Sequence, residues 1–178
     1  MDHPDVRRAQ MTDQEAVGDL WTRLLEEQET LDDRFAMAEN ARDRWGNDFP
    51  LWLDDETRRI YVAEGGDEIV GFSSARRWGP PPIYEESSEV YLDELYVRPS
   101  HRRQGLGTQL LSALRTWANR LGARRLRLSV LFANEAAQAF WTSQDAQPLT
   151  MTYTLERDGS GGDEEDEESK EGSKKIGF

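Results

Sequence analysis

The stretch HRRQGLGTQLL, from His101 to Leu111, combines arginines and closely spaced glycines with an apolar run of helical character. Arg102, Gly105 and Gly107 form an Arg-x-x-Gly-x-Gly pattern that follows a β-rich segment. Glycines at the start of a helix let backbone N–H groups approach an anion, and the helix N-terminus favours negative charge. The spacing therefore indicates a phosphate or diphosphate site, although a tight turn with solvated arginines would give the same pattern.

Two common phosphate-binding motifs do not fit this stretch. A P-loop ends in Gly-Lys-Ser/Thr, which is missing here. The dinucleotide fingerprint needs a third glycine where Leu110 stands, and an acidic residue about twenty positions later, where the sequence is ARRLRL. What remains is a glycine turn that opens a helix and belongs to neither class.

The segments around this turn alternate between strand-like and helix-like patterns. Period-two alternation, helical spacing of apolar residues and turn signals at glycine and proline set their limits. A capping-box pattern at Thr12–Glu15 opens the first helix, and GNDFP is expected to end the second. We expect an α/β fold, a mixed sheet with helices on both faces. The expected strands are residues 6–10, 59–64, 68–77, 89–97, 124–132 and 149–156, and the expected helices are residues 12–25, 34–45, 106–121 and 134–143.

The composition of the chain changes at Asp158. From there DGSGGDEEDEESKEGSKKIGF is rich in glycine, serine and acids, with little to bury, which is typical of a disordered tail. We therefore expect one folded domain over residues 1–157 and an acidic tail over residues 158–178. The tail is expected to serve solubility, with an interaction role as the alternative.

Together these patterns resemble the GNAT superfamily of acyl-CoA-dependent N-acetyltransferases. That family places Arg/Gln-x-x-Gly-x-Gly/Ala after a strand, as in LDELYVRPSHRRQGLGTQLL, and an Asn-x-x-Ala-x-x-aromatic helix further on. Asn134, Ala137 and Phe140 match the second motif. The resemblance covers about Val6 to Glu156 and implies a mixed, mainly antiparallel central sheet whose two central strands splay apart.

The resemblance also implies acetyl-CoA as co-substrate and no metal. Its diphosphate would lie on the backbone amides between Arg102 and Thr108, with Arg102 and Arg103 adding side-chain charge, and a side chain at Gly107 would block it. The pantetheine arm would run between the splayed strands, residues 89–97 and 125–131, toward Asn134. The residues expected to bind the coenzyme are Leu95, Tyr96, Val97, Arg102, Arg103, Gln104, Gly105, Leu106, Gly107, Thr108 and Asn134.

Acetyl transfer to an amine requires a neutral amine, so a carboxylate near the thioester would help as general base. YLDELY offers Asp93 and Glu94, which strand alternation would place on opposite faces. Asp93 is preferred because it would share a face with Leu95 and Val97, and that face resembles the one that bears a carboxylate in several family members; Glu94 is close behind. A solvated or arginine-paired acid is the alternative for each, and the base could act through a water.

The sequence departs from the family pattern after Phe140. Many members carry a tyrosine there, proposed to protonate the departing thiolate, whereas this chain has Trp141. An indole N–H cannot usefully give up its proton. A thiol with a pKa near 8.5 is already a tolerable leaving group, so transfer without this acid remains chemically reasonable. Tyr96 and Tyr153 are the first candidates for another acid.

The acceptor is less defined by the sequence. Trp78, Tyr84, Glu85 and Glu86 could bind a cationic amine through aromatic faces and carboxylates, although a rigid proline loop explains the same residues. We expect a small-molecule or peptide amine as acceptor and leave a homodimer open. A non-catalytic acyl-CoA-binding sensor or regulatory domain and a nucleic-acid-binding module are the alternatives from other classes.

The amino-acid composition excludes several classes of partner and of chemistry. A formal net charge of −13 argues against a nucleic-acid partner. The absence of cysteine excludes disulfides and thiolate chemistry, and two histidines are too few for a histidine-rich metal site. No apolar run is long enough for a membrane span and no signal-like segment opens the sequence, so we expect a cytoplasmic enzyme.

Overall fold

The structure is a computed structural model that describes residues 5–155 except 82, 84, 86 and 87. The chain divides into two compact units, residues 1–146 and residues 147–178. The helices and strands of the first unit are β1 (Val6–Arg8), α1 (Gln14–Leu31), α2 (Ala41–Asp54), β2 (Arg58–Gly65), β3 (Glu68–Trp78), β4 (Glu89–Val97), α3 (Leu106–Arg120), β5 (Arg125–Arg127) and α4 (Glu135–Ser143).

The five strands form one open sheet in the order β1-β2-β3-β4-β5. The first four strands pair antiparallel, and β5 pairs parallel to β4. Helices α1 and α2 cover one face, where Phe49 and Phe72 are buried in one apolar cluster. Helix α3 covers the other face, where Leu114 packs with Val90 and Leu92. The predicted mixed, mainly antiparallel α/β sheet with helices on both faces is confirmed.

Helix α2 continues through the segment that was expected to end it. It runs over Gly46 and includes Pro50, which has no N–H to donate to the carbonyl of Gly46 four residues earlier. The side-chain amide of Gln14 on α1 donates a hydrogen bond to that carbonyl at 2.8 Å. The predicted break was therefore wrong, because a tertiary contact satisfies the group that proline leaves unpaired.

The first helix also begins differently from the prediction. A short 3-10 turn, Met11–Asp13, precedes α1, and the Asp13 carboxylate accepts the backbone N–H of Gln10 at 2.7 Å. The same carboxylate is held by Arg7 of β1 at 2.7 Å. The N-cap residue of α1 is therefore Asp13, one residue later than the proposed Thr12, and its carboxylate closes the preceding turn and ties it to β1 rather than capping α1 itself.

The C-terminal strands are shorter than the sequence pattern suggested. Strand β5 covers Arg125–Arg127 rather than residues 124–132. Residues 149–155 alternate apolar side chains with threonine, yet they form no strand and are exposed. Alternation indicates which side chains would share a face of a strand, but it does not determine whether the segment pairs into a sheet. No helix within the described ranges is long and apolar enough to cross a bilayer.

Candidate active site

A β-bulge in β4 determines how the two candidate carboxylates are placed. Opposite β3, Ser74 pairs with Glu94 but Ala75 pairs with Leu92, so Asp93 is an extra residue without a partner position. The bulge resets the alternation of side chains along β4. Leu92 and Leu95, three residues apart, consequently pack in the same cluster beneath α3.

Asp93 and Glu94 therefore lie on one face of the sheet rather than on opposite faces. Glu94 accepts a hydrogen bond from the Ser74 hydroxyl, and Asp93 accepts one from Arg76 at 2.5 Å. Ser74 and Arg76 are two residues apart on β3 and so point to the same side. The expectation that Asp93 shares a face with Leu95 and Val97 was wrong, because simple alternation fails at a bulge.

Glu94 has the more unusual electrostatic environment of the two. Its pKa is raised to about 7, chiefly by burial and also by the nearby charge of Asp93, against the opposing effect of hydrogen bonds from Ser74 and from Trp21 on α1. The residue nevertheless keeps some solvent exposure. A partly accessible carboxylate with a pKa near neutrality can accept a proton and later release it at physiological pH.

Asp93 is engaged by an arginine. Its contact with Arg76 is an ion pair of 2.5 Å, and the Arg76 guanidinium also lies over the Tyr91 ring, 5.2 Å from its centre. Burial raises the pKa of Asp93, and the charges of Arg76 and Arg58 oppose that rise. The arrangement corresponds to the arginine-paired acid that the sequence left open for this residue.

The turn before α3 has the backbone conformation that an anion site requires. Gly105 has a φ of 84° and Arg103 a φ of 65°, both in the left-handed region. The N–H groups in the first turn of α3 have no acceptor within the helix, which begins its ladder at the Gln109 N–H to Gly105 carbonyl bond of 3.0 Å. A Cβ placed on Gly105 would meet nothing within 4 Å, so the backbone is open to a ligand on that side.

Gly107 has a packing contact that the sequence did not predict, beside the coenzyme role expected for it. A Cβ on this residue would lie 3.2 Å from the Phe140 ring of α4 and 3.7 Å from the Leu95 side chain. The absence of a side chain thus allows α4 to pack against the start of α3. A substitution at Gly107 would meet Phe140 first, so its effect on a diphosphate ligand would be confounded by this contact.

Arg102, which was expected to add charge to the diphosphate, is bound to other parts of the protein. Its Nη2 donates to both carboxylate oxygens of Glu27 on α1 at 2.8 Å, and its Nε donates to the Val97 carbonyl at 2.8 Å. Arg103 is exposed, and Gln104 donates to the Ser100 carbonyl at 3.3 Å. Of the two arginines, Arg103 is therefore the better candidate for contact with the diphosphate.

Strands β4 and β5 separate after a short paired segment. Only Glu89–Tyr91 pairs with Arg125–Arg127, which leaves the edge of Leu92–Val97 without β5 beside it. The buried carboxylate of Glu89 holds this paired end through Arg125 at 2.6 Å and Arg127 at 3.0 Å. The backbone of Leu95, Tyr96 and Val97 therefore lies at a gap in the sheet, where the pantetheine arm was expected.

The residues of α4 occupy defined structural positions. Asn134 caps the helix, because its Oδ1 accepts the N–H of Ala137 at 2.9 Å. Thr108 on α3 is linked to α4 through Gln144, whose side-chain amide lies 3.4 Å from its hydroxyl oxygen. Trp141 packs against the cluster beneath α3 and meets the Phe140 ring edge-on at 4.9 Å. The contact between Gln144 and Thr108 holds the C-terminal end of α4 close to the start of α3.

The two tyrosines suggested as replacement acids have different surroundings. The Tyr96 hydroxyl donates to Glu27 at 2.8 Å, and burial together with this bond raises its pKa to about 12. A phenol with that pKa is a weak donor to a thiolate. Tyr153 belongs to the second unit, where its hydroxyl lies 3.8 Å from the sulfur of Met151.

The predicted acceptor residues are only partly within the described chain. The Trp78 ring lies beneath the Arg127 guanidinium at 4.6 Å and is tilted against Tyr91 at 6.4 Å, while Glu85 is exposed. Tyr84 and Glu86 lie outside the described residues. In the described part of the chain, histidine and acidic side chains form no group that could hold a metal ion.

Sequence reasoning missed four residues around these sites. They are Trp21 and Glu27 on α1 and Ser74 and Arg76 on β3, which contact Glu94, Arg102 or Asp93. The two β3 residues could have been found from the register of the hairpin with β4, had the bulge been known. The two α1 residues had no signal of their own, because a tryptophan and a glutamate on an amphipathic helix are ordinary.

Comparisons with known proteins show which family the chain resembles. A model of the acetyltransferase (GNAT) family matches residues 19–145. The chain is 29% identical over 135 residues to a thialysine N-epsilon-acetyltransferase of Bos taurus, which covers 72% of this chain and 75% of that protein. It is 38% identical over 61 residues to the enzyme of the same name from Mus musculus, over 34% of this chain and 36% of that one.

Solved structures show the same fold. A tetramutant of the BH1408 protein from Bacillus halodurans has a TM-score of 0.76 at 21% identity, covering 86% of this chain and 99% of that one. The aminoglycoside N-acetyltransferase AAC(6')-Iy in complex with CoA has a TM-score of 0.69 at 19% identity, covering 88% and 96%. The prediction that the protein is an acyltransferase is confirmed. The chain belongs to the GNAT family of acetyltransferases.

Proposed function

We propose that the protein transfers an acetyl group from acetyl-CoA to a primary amine and that Glu94 is the general base. The observation that supports this most directly is the bulge in β4, which sets a carboxylate with a pKa of about 7 beside the gap between β4 and β5. Asp93, the base preferred from the sequence, has its carboxylate paired with Arg76 and is the second candidate.

The residues present fit the coenzyme. The open side of Gly105 and the first-turn amides of α3 would receive the diphosphate. The unpaired edge of Leu95–Val97 would lie along the pantetheine arm, and Asn134 would approach it with its side-chain N–H groups. Acetyl-CoA supplies the thioester and thus the acetyl group.

Glu94 would supply the proton chemistry. An amine arrives mostly as an ammonium ion at neutral pH and has no lone pair for attack on a carbonyl carbon. The ionised Glu94 carboxylate takes one proton from the ammonium, directly or through a water, and frees the nitrogen. As the C–N bond forms and the C–S bond breaks, the nitrogen loses its second proton to solvent, and the thiolate leaves as a stable anion or is protonated by solvent.

We infer that the acceptor is a small molecule with a primary amine. The relatives support this class, because their names refer to thialysine and to aminoglycosides. Trp78, Tyr91 and the carboxylates of β4 offer aromatic and acidic surface on the face that Glu94 shares. A peptide amine is the second acceptor class that the test must include.

The test is a thiol-release assay with acetyl-CoA and a panel of amines containing thialysine, lysine, an aminoglycoside and a short peptide. Release that depends on one amine, together with the acetylated product by mass spectrometry, is the expected result. Glu94→Gln should lower kcat/KM by about 10²-fold or more. Tight binding of coenzyme A without transfer to any amine would instead favour the non-catalytic sensor.

A further inference from the structure

Glu27 and Arg102 connect helix α1 with the loop that precedes α3. Arg102 Nη2 donates to both oxygens of the Glu27 carboxylate at 2.8 Å, and the Tyr96 hydroxyl donates to Oε1 of the same group at 2.8 Å. One carboxylate therefore joins three parts of the chain: α1, the end of β4 and the loop. Nothing in the proposed reaction requires this connection for proton transfer.

The loop itself has a conformation that needs support. Arg103 has a φ of 65°, and a non-glycine residue in this region stores strain unless its surroundings hold it there. Gly105, two residues later, is also left-handed at a φ of 84°. Arg102 directly precedes the strained Arg103, so its side chain is well placed to fix the entry to the turn.

Three sets of contacts fix the Arg102 side chain. In addition to Glu27, its Nε donates to the Val97 carbonyl at 2.8 Å, and its guanidinium lies 5.3 Å from the centre of the Tyr96 ring. The charge of Arg102 is thus balanced by Glu27 before any ligand arrives. Its contacts are those of an anchor between β4, α1 and the loop, rather than those of a side chain aimed at a free phosphate.

We propose that Glu27 is a positioning residue for coenzyme binding: through Arg102 it holds residues 102–108 in the conformation whose amides receive the diphosphate. This inference rests on the proposed use of acetyl-CoA. The pair is partly solvent-exposed, with 41% and 43% of the two side chains accessible, so the effect should be moderate. It should also depend on the part of the donor that contacts the loop.

That dependence provides the test. Glu27→Gln is compared with the parent protein using acetyl-CoA and using S-acetylpantetheine, which has the same thioester but no diphosphate. We expect the KM for acetyl-CoA and the Kd for coenzyme A to rise about three- to tenfold, with kcat little changed. The kcat/KM for S-acetylpantetheine should stay within twofold of the parent value.

Matched controls separate the pair from general effects of charge and folding. Glu29→Gln removes the same charge from an exposed position of α1 and should leave both donors unaffected. Arg102→Lys keeps a positive charge but loses the two-oxygen contact, and it should resemble Glu27→Gln. Because the two residues act as one unit, the double variant should be no weaker in coenzyme binding than the weaker single variant.

Two results would overturn the inference. If Glu27→Gln reduces kcat/KM equally for both donors, Glu27 has only a structural role, and if it changes neither donor, Glu27 has no role in coenzyme binding. Failure of the proposed function is distinguishable, because the parent protein itself would then bind no coenzyme A and release no thiol. In that case the inference about Glu27 fails with it.

Discussion

A carboxylate whose pKa lies near 7 changes its charge across the pH range in which most cytoplasmic chemistry occurs. Glu94 has this property because burial disfavours its ionised form and Asp93 adds a like charge nearby. Asp93, the preceding residue, differs from Glu94 because its carboxylate forms an ion pair with Arg76. The bulge allows two consecutive acids to share one face while keeping separate partners, Ser74 and Arg76.

The pH dependence of activity follows from the ionisation of Glu94. The base must be deprotonated to act, so kcat/KM should rise with pH through about 7 and then level off, measured with an amine whose own pKa lies well above the range. No falling alkaline limb is expected, because Trp141 offers no proton and the pKa of Tyr96 is about 12.

Variants of the two acids show which residue causes the rise in kcat/KM near pH 7. Glu94→Gln should remove the rise near pH 7, whereas Asp93→Asn should preserve it with a lower plateau. If the rise survives in Glu94→Gln and disappears in Asp93→Asn, the base is Asp93. A bell-shaped profile, after alkaline unfolding has been excluded, would show that another group supplies an essential proton.

The same ionisation predicts a change in stability. The pKa of Glu94 is raised in the folded protein from an ordinary value of 4.5 to about 7, so the protonated form is favoured by folding. The contribution of Glu94 to the free energy of unfolding is therefore largest below about pH 4.5 and is lost as the pH rises through about 7. Replacing Glu94 with the uncharged Gln should remove that loss.

Glu94→Gln should therefore be more stable than the parent protein at pH 8, by at most about 3 kcal/mol, and the difference should shrink toward pH 5. Urea unfolding at the two pH values measures the difference. Ser74→Ala is a useful comparison, because it removes a hydrogen bond to the carboxylate while keeping the charge. Equal stability of parent and Glu94→Gln at pH 8 would mean that water solvates the carboxylate fully.

At the scale of elements, most helices and strands could be predicted from the sequence because their signals are local. Strand β4 was predicted with its observed limits, and the helix predicted over residues 106–121 differs from α3 by one residue at its C-terminus. The continuation of α2 through Pro50 could not be predicted, because it depends on a hydrogen bond from Gln14, which is 36 residues distant in sequence. The bulge at Asp93 could not be predicted either, because it depends on how β4 pairs with β3.

The candidate site follows the same division. The glycine turn could be recognised because the left-handed backbone conformation there, with a φ of 84° at Gly105, favours glycine, and glycine is visible in the sequence. The role of Gly107 could not, because it depends on the Phe140 ring of another helix. The anchoring of Arg102 by Glu27 was also hidden, since the two residues are 75 positions apart.

The packing role of Gly107 leads to a prediction at this scale. Gly107→Val should destabilise the protein by about 1–3 kcal/mol, because its side chain would crowd the Phe140 ring, which lies 3.2 Å from the position of a Cβ. Thermal or urea unfolding of the variant measures this cost. Phe140→Leu in the same chain should recover part of the loss by making room.

Coenzyme A binding to the double variant separates two roles of the glycine. If Gly107 matters through its contact with α4, the Gly107→Val, Phe140→Leu protein should bind coenzyme A more tightly than Gly107→Val alone. If the diphosphate itself must approach Gly107, both proteins should bind equally weakly while the double variant regains stability. Calorimetry with coenzyme A decides between them.

At the scale of the whole molecule, negative charge is spread over the chain and concentrated at its end. The formal net charge is −13, and residues 158–178 contribute eight acidic side chains and three lysines. Every lysine of the protein lies in that stretch, so the remaining positive charge comes from arginine. Arginine suits the paired positions described above, because its planar group can contact a carboxylate and an aromatic ring together.

The last prediction concerns this C-terminal stretch, which lies outside the described residues. Its composition offers too little apolar surface to offset the entropy of ordering it. A chain ending at Arg157 should therefore keep the melting temperature of the full chain within about 2 °C and bind coenzyme A with the same Kd at 0.15 M salt, where charges more than about 8 Å apart are largely screened.

Lower salt makes the comparison more sensitive. Coenzyme A is an anion, and the acidic stretch should repel it more strongly as screening weakens, so the shortened chain should bind it more tightly than the full chain at 0.01 M salt. The control is the full chain with the eight acids of residues 158–178 replaced by Gln or Asn, which should behave like the shortened chain. A fall in melting temperature of 5 °C or more on shortening would instead mean that these residues pack against the folded part and stabilise it.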